Sequence, residues 1–114
     1  MASRPNVKKP KPTSNEMNVE VMLGHAGEAA DFLKALANDQ RLVILCCLLD
    51  SPKSVGDINE YVHLSQSALS QHLAVLREKN LVATEKRAQT VYYSVPAGNT
   101  RKMLSLLHDC FCHG

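Results

Sequence analysis

The side chains in this chain best suited to covalent or ligand chemistry are its four cysteines. Cys46 and Cys47 sit inside an apolar run. Cys110 and Cys112 belong to a short C-terminal cluster, His108-x-Cys110-x-Cys112-His113. Such thiols can react with oxidants or sulfane sulfur, ligate a soft or borderline metal, or simply fill a core. The first residues, Met1 to Asn6, lead into no apolar signal core, and no apolar run is long enough to span a bilayer. The chain therefore reads as cytosolic, where thiols are kept reduced and a structural disulfide framework is not expected. There is no Cys-x-x-Cys and no nucleophile elbow, so the sequence argues against a thiol enzyme and calls for no cofactor. Four ligands crowded onto one helical turn and a chain end rarely close a tetrahedral site unaided, so metal sensing by the cluster is the alternative reading.

A second group of residues has the chemistry of base recognition. Between Ser65 and Lys79, Leu69, Leu73 and Leu76 recur at helical spacing, so one stripe of an amphipathic helix faces a core. The other face carries Gln66, Ser67, Ser70, Gln71 and His72. A face meant only for water usually prefers Lys and Glu, whereas side-chain amides offer the paired donor and acceptor that match adenine. Val55 to Val62 predicts a shorter helix in front, joined through His63-Leu64. A short helix, a tight turn and a second helix with a polar outer face is the helix-turn-helix arrangement. An ordinary helical hairpin with a Ser/Gln-rich solvent face is the plainer reading of the same pattern.

Those helices need a scaffold. At 114 residues the chain is one domain, small enough that a dimer interface would contribute to its stability. A net charge of +2 permits nucleic acid without demanding it. Residues 1–15, with Arg4, Lys8, Lys9 and Lys11 and little that is apolar, read as a disordered basic arm; residues 16–114 read as the folded domain. A helix is predicted from about Met17 to Leu36, with small residues (Ala26, Gly27, Ala29, Ala30) that would let another helix approach. Asn38-Asp39 breaks and caps it. Gln40 to Leu49 is apolar nearly all round and is expected to be the central core helix. Ser54 is placed to cap the next helix, and Asn80 to end the polar-faced one. Leu81 to Lys86 and Thr90 to Val95 have strand composition and a short link, Arg87-Ala88-Gln89, and so predict a β-hairpin. Its charged tip, Lys86, Arg87 and Gln89, is suited to phosphates or the minor groove. A last helix through Met103, Leu104, Leu106, Leu107, Cys110 and Phe111 has an apolar side with no core partner left, which calls for a symmetric mate. The expected fold is mainly α: a winged helix-turn-helix of five helices with a two-stranded hairpin wing.

In this order and length the chain resembles the ArsR/SmtB group of bacterial winged-helix repressors. The resemblance spans roughly Ala29 to Cys112, and its most specific text is Ser65-Gln66-Ser67-Ala68-Leu69-Ser70-Gln71-His72-Leu73. It implies a homodimer built from the first and last helices, and binding to a palindromic operator in double-stranded DNA. It implies further that Gln66, Ser67, Ser70, Gln71 and His72 face the major groove. The metal sites known in that group are a Cys-x-Cys before the recognition helix, or an Asp-x-His with a His pair on the last helix. Val55-Gly56-Asp57-Ile58-Asn59 and Thr100-Arg101-Lys102-Met103-Leu104 supply neither. Arg41 to Cys46 and Leu106 to Cys112 instead resemble the dithiol, HlyU/BigR/SqrR-like branch. There the resemblance implies that Cys46 and Cys112 are the sensing thiols, joined by a disulfide or polysulfide on exposure to reactive sulfur species or oxidants. Cys47 and Cys110 fall off that pattern. Release of a repressor, or displacement of a silencer by an activator, is compatible with the same fold.

Overall fold

The structure, a computed structural model, describes residues 18–112; the basic arm and His113 lie outside them. The described residues form five helices and a small three-stranded antiparallel sheet. Helix α1 (Val19–Leu36) opens at Asn18, whose side chain accepts from the Val21 N–H at 3.1 Å. Its far end is closed from the next helix: the Arg41 guanidinium donates from Nε to the Ala35 carbonyl (2.7 Å) and from Nη2 to the Lys34 carbonyl (3.3 Å). Helix α2 (Asp39–Cys47) starts at Asn38, as the Asn-Asp break predicts, with the Asn38 side chain accepting from the Arg41 N–H at 3.0 Å. It is shorter and more one-sided than its composition suggests. Ile44, Leu45 and Leu48 are fully buried, but Val43 is exposed and Cys46 and Cys47 are half-buried.

Lys53–Ser54 forms β1, and Ser54 then accepts from the Asp57 N–H at 3.2 Å to cap α3 (Val55–Val62). Helix α4 (Gln66–Glu78) is capped by Ser65 through the Ala68 N–H, also at 3.2 Å. Its C-terminus is a Schellman closure. Asn80 takes a left-handed φ of 60°, its N–H donates to the Arg77 carbonyl, and the Leu81 N–H reaches back to the Leu76 carbonyl at 2.8 Å. Leu76 and Leu81 are both buried, completing the apolar contact of that motif. Strands β2 (Ala83–Arg87) and β3 (Thr90–Ser94) pair antiparallel, with Ala83 opposite Ser94 and Arg87 opposite Thr90. The link is only Ala88-Gln89, with Ala88 at φ 55°; Arg87 is the last residue of its strand. The hairpin wing is present, and a third strand extends its sheet: β1 pairs with the inner side of β3, Lys53 opposite Tyr93, in the order β1-β3-β2. Two residues are too short to show a strand pattern in sequence.

After Val95 the chain turns at Gly98, whose φ of 126° favours glycine, into α5 (Asn99–Phe111). The core gathers Leu36, Ile44 and Leu45 from the first two helices and Leu48 from the cap of the second. Ile58, Leu69, Leu73, Leu76 and Leu104 meet them from the others. Within α1 only Ala35 and Leu36 are buried, and Val19, Val21, Met22, Leu23 and Leu33 are exposed. On α5, Leu104 is buried while Leu106 and Phe111 are exposed, Phe111 by 82%.

Candidate DNA-reading face and thiol site

The turn between α3 and α4 sets how the second helix is presented. His63 ends α3 in the left-handed conformation, φ 54°, and donates its N–H to the Asn59 carbonyl. Asn59 then uses both ends of its side-chain amide on one residue. Its Nδ2 donates to the Leu64 carbonyl (2.8 Å), and its Oδ1 accepts from the Leu64 N–H (2.7 Å). The amide thus stands in for a strand neighbour and holds the turn closed. Asn59→Ala removes both bonds and leaves two partly buried backbone groups without partners, a loss of about 2–3 kcal/mol. Urea unfolding should show that loss, with DNA affinity falling further than stability alone accounts for.

With the turn fixed, α4 packs through Leu69, Leu73 and Leu76 and presents the other side. Gln66, Ser67, Ser70 and Gln71 are exposed on it, and His72 is half-buried at its margin. The hairpin tip projects Lys86, Arg87 and Gln89, all exposed. Arg87 is partly occupied: its Nη2 lies 3.0 Å from Glu85, and its guanidinium stacks 5.3 Å from the centre of the Tyr92 ring. An exposed pair of this kind is weakly held, so a phosphate can compete for the arginine.

The thiols lie on another part of the fold. Cys46 on α2 lines a cavity of about 450 Å³ with Cys47, Leu49, Asp50, Tyr61, Arg101, Ser105, His108 and Asp109. Helix α5 forms one wall of it through Arg101, Ser105, His108 and Asp109. Burial pushes the Cys46 thiol up, and negative charge on Cys112 pushes it further. Cys112, just past the last turn of α5, is thus near enough to act electrostatically on Cys46. All four cysteines are unpaired, with Cys110 and Cys112 exposed. Cys47 behaves as a packing residue. Its Sγ donates to the Ile44 carbonyl at 3.0 Å, and burial pushes its thiol up to about 11. At the cavity edge the Asp50 carboxyl is held below its usual range by the hydrogen bond from Lys53 at 2.9 Å. Among the described residues, no three of His, Cys, Asp and Glu converge on a point that could hold a metal ion; His113 lies outside them. Nor, among the described residues, is any helix long and apolar enough to cross a membrane.

Asn59, Arg41 and Arg101 are structural determinants that the sequence reading did not single out. Arg101 had a detectable signal: it is a charge three residues before the fully buried Leu104, on the side of α5 that faces the core.

A capped short helix, a clamped turn, a second helix with an amide and hydroxyl face, and an antiparallel hairpin beside it together define a winged helix-turn-helix DNA-binding protein. Residues 38–84 match the family model described as bacterial regulatory protein, arsR family. The transcriptional activator HlyU of Vibrio cholerae is 49% identical over 96 residues, covering 84% of this chain and 89% of that one. The biofilm growth-associated repressor of Xylella fastidiosa is 32% identical over 100 residues, covering 88% of each. Among solved structures, reduced HlyU from Vibrio cholerae superimposes with a TM-score of 0.77 at 48% identity, covering 82% of this chain and 98% of that one. The chain belongs to the ArsR family and is a DNA-binding transcription regulator, in a family of regulators rather than enzymes.

Proposed function

We propose that the protein is a homodimer whose grip on a palindromic operator is switched by sulfur chemistry at Cys46 and Cys112. The observation that carries this reading is the packing of α5 on the Cys46 side of α2, where the two helices line one cavity and Cys112, at the end of α5, acts electrostatically on Cys46. The exposed apolar faces of α1 and α5, including Leu23 and Phe111, support a dimer through those two helices. The exposed face of α4 and the hairpin tip support DNA contact through Gln66, Ser67, Ser70, Gln71, His72, Lys86, Arg87 and Gln89.

In the proposed reaction a Cys112 thiolate attacks a sulfur of a hydropolysulfide and displaces hydrosulfide or a shorter polysulfide, leaving a sulfur chain on Cys112. The Cys46 thiolate then attacks that chain and expels hydrosulfide. Two thiol protons are released, and the polysulfide takes up both electrons as it is reduced to hydrosulfide. A direct disulfide needs Cα atoms about 4.4–6.8 Å apart, whereas a bridge of added sulfurs spans more. Joining α2 to α5 changes the spacing of the two reading helices in the dimer. Half-sites one turn apart, about 10 bp, tolerate little such change. Whether release means derepression or loss of anti-silencing depends on where the operator lies, and the two relatives bear opposite names, activator and repressor.

The test is intact-mass spectrometry with peptide mapping after hydropolysulfide treatment, run beside DNA binding. A cross-link between the Cys46 and Cys112 peptides, carrying whole extra sulfur atoms and accompanied by DNA release, is expected. Normal release in Cys46→Ser or Cys112→Ser would refute the dithiol switch and leave the DNA-binding assignment standing.

A further inference from the structure

Arg101 occupies the first turn of α5, and its guanidinium forks between two main-chain carbonyls from different parts of the fold. Nη1 donates to the Leu49 carbonyl, just beyond α2, and Nη2 donates to the Val95 carbonyl (2.8 Å), just beyond wing strand β3. The Leu49 N–H in turn donates to the carbonyl of Cys46 at 3.2 Å. A continuous run of hydrogen bonds therefore leads from the Cys46 backbone, through the Leu49 peptide and the Arg101 guanidinium, to the root of the hairpin. Helix α2 has no basic residue in its last turn, so Arg101 brings the cation that its C-terminal carbonyls favour from another helix. Val95 is buried, which makes the wing end of the run a fixed point, and Arg101 lines the same cavity as Cys46.

We infer that Arg101 is the positioning residue that couples the Cys46 end of α2 to the DNA-contacting wing. The inference rests on the thiol switch proposed above for its use in the cell, but the coupling can be read without forming any sulfur bridge. Coupling between two sites is reciprocal: if the state of Cys46 changes DNA affinity through Arg101, DNA must change the state of Cys46 through the same contact. A planar fork that holds two carbonyls at once is a property of arginine that methionine lacks and lysine only partly replaces.

The experiment measures the rate at which iodoacetamide alkylates Cys46 in the full-length protein, with and without a duplex selected from a random-sequence pool by the reduced protein. In the wild type, DNA is expected to change that rate by about fivefold or more, the lower end of usual coupling strengths. In Arg101→Met the DNA effect should fall below about twofold at saturating DNA, and Arg101→Lys should recover part of it. Simple covering of Cys46 by DNA would persist in Arg101→Met, so an equal effect in both proteins overturns the inference. So does a wild type in which DNA leaves the Cys46 rate unchanged. Cys47, half-buried and bonded to the Ile44 carbonyl, reports folding in the same digest: rapid labelling there marks an unfolded variant, and Arg101→Lys then becomes the comparison. Loss of the Cys46–Cys112 cross-link in the mass experiment would remove the sulfur switch while leaving this linkage measurable.

Discussion

Treated with hydropolysulfide, Cys46→Ser is expected to gain sulfur at Cys112 at close to the wild-type rate, yet to remain on DNA. Cys112→Ser is expected to react more slowly and also to remain bound. Both variants lack the bridge, so the difference between them reports which thiol attacks first. The thiolate is the nucleophile, and each unit by which a thiol's pKa rises removes about tenfold of it at neutral pH. Cys46 is half-buried, and its thiol is pushed up by burial first and by Cys112 second. Cys112 is exposed at the end of α5 and meets a dissolved donor directly. In the proposed switch Cys112 therefore takes the first sulfur. In the same proposal Cys46 needs to ionise only transiently to resolve the sulfur chain that Cys112 carries. The sign with pH follows. Because burial raises the Cys46 thiol above its ordinary value of 9.0, labelling of Cys46 in Cys112→Ser should keep climbing from pH 7 to pH 9, without a plateau. Removing Cys112 also removes its charge, so this variant gives the Cys46 thiol its burial-driven shift alone. A plateau below pH 8, or faster sulfur uptake by Cys112→Ser than by Cys46→Ser, would reverse the assigned order.

The architecture was legible because local signals agreed with the global fold. Asn18, Asn38, Ser54 and Ser65 each cap the helix that follows them, and Asn80 ends α4 with a left-handed residue. The leucine stripe of α4, Leu69, Leu73 and Leu76, distinguishes its buried side from its exposed one in the sequence itself. What stayed hidden was tertiary. Strand β1 is two residues long and exists only because β3 offers it an edge. Helix α2 reads as uniformly apolar, but only one side of it meets the core, which leaves Val43 exposed and Cys46 within reach of α5. Asn59 and Arg101 are polar residues whose partners are backbone groups, and no side-chain pattern announces where a backbone carbonyl will end up. Cys46 and Cys112 stand out in the sequence by resemblance alone; the upward push of Cys112 on the Cys46 thiol depends on how α2 packs on α5.

Gln71→Ala and Lys86→Ala are expected to weaken DNA binding in ways that a salt titration separates. Gln71 stands one turn beyond Ser67 on the exposed side of α4, opposite Leu69, Leu73 and Leu76. An amide paired with a base edge is worth about 1–3 kcal/mol of discrimination, so Gln71→Ala should cost roughly five- to hundred-fold in affinity for a selected site, and little for random DNA. The dependence on salt should stay as it was, because no counterion release is lost. Lys86, at the hairpin tip, is suited to a phosphate, so Lys86→Ala should weaken selected and random DNA alike and flatten the slope of log K against log salt by about 0.9. Neither change should cost stability. Both side chains are exposed, surface substitutions generally stay within about 0.5 kcal/mol, and alanine is the better helix former at position 71. The contrast tests why α4 has a polar face at all. If amides and hydroxyls were there only to meet water, Gln71→Ala would leave affinity for selected and random DNA unchanged while the melting temperature held or rose. A selective loss of affinity at unchanged melting temperature means that this side of the helix is shaped by the base pairs it reads and not by the fold.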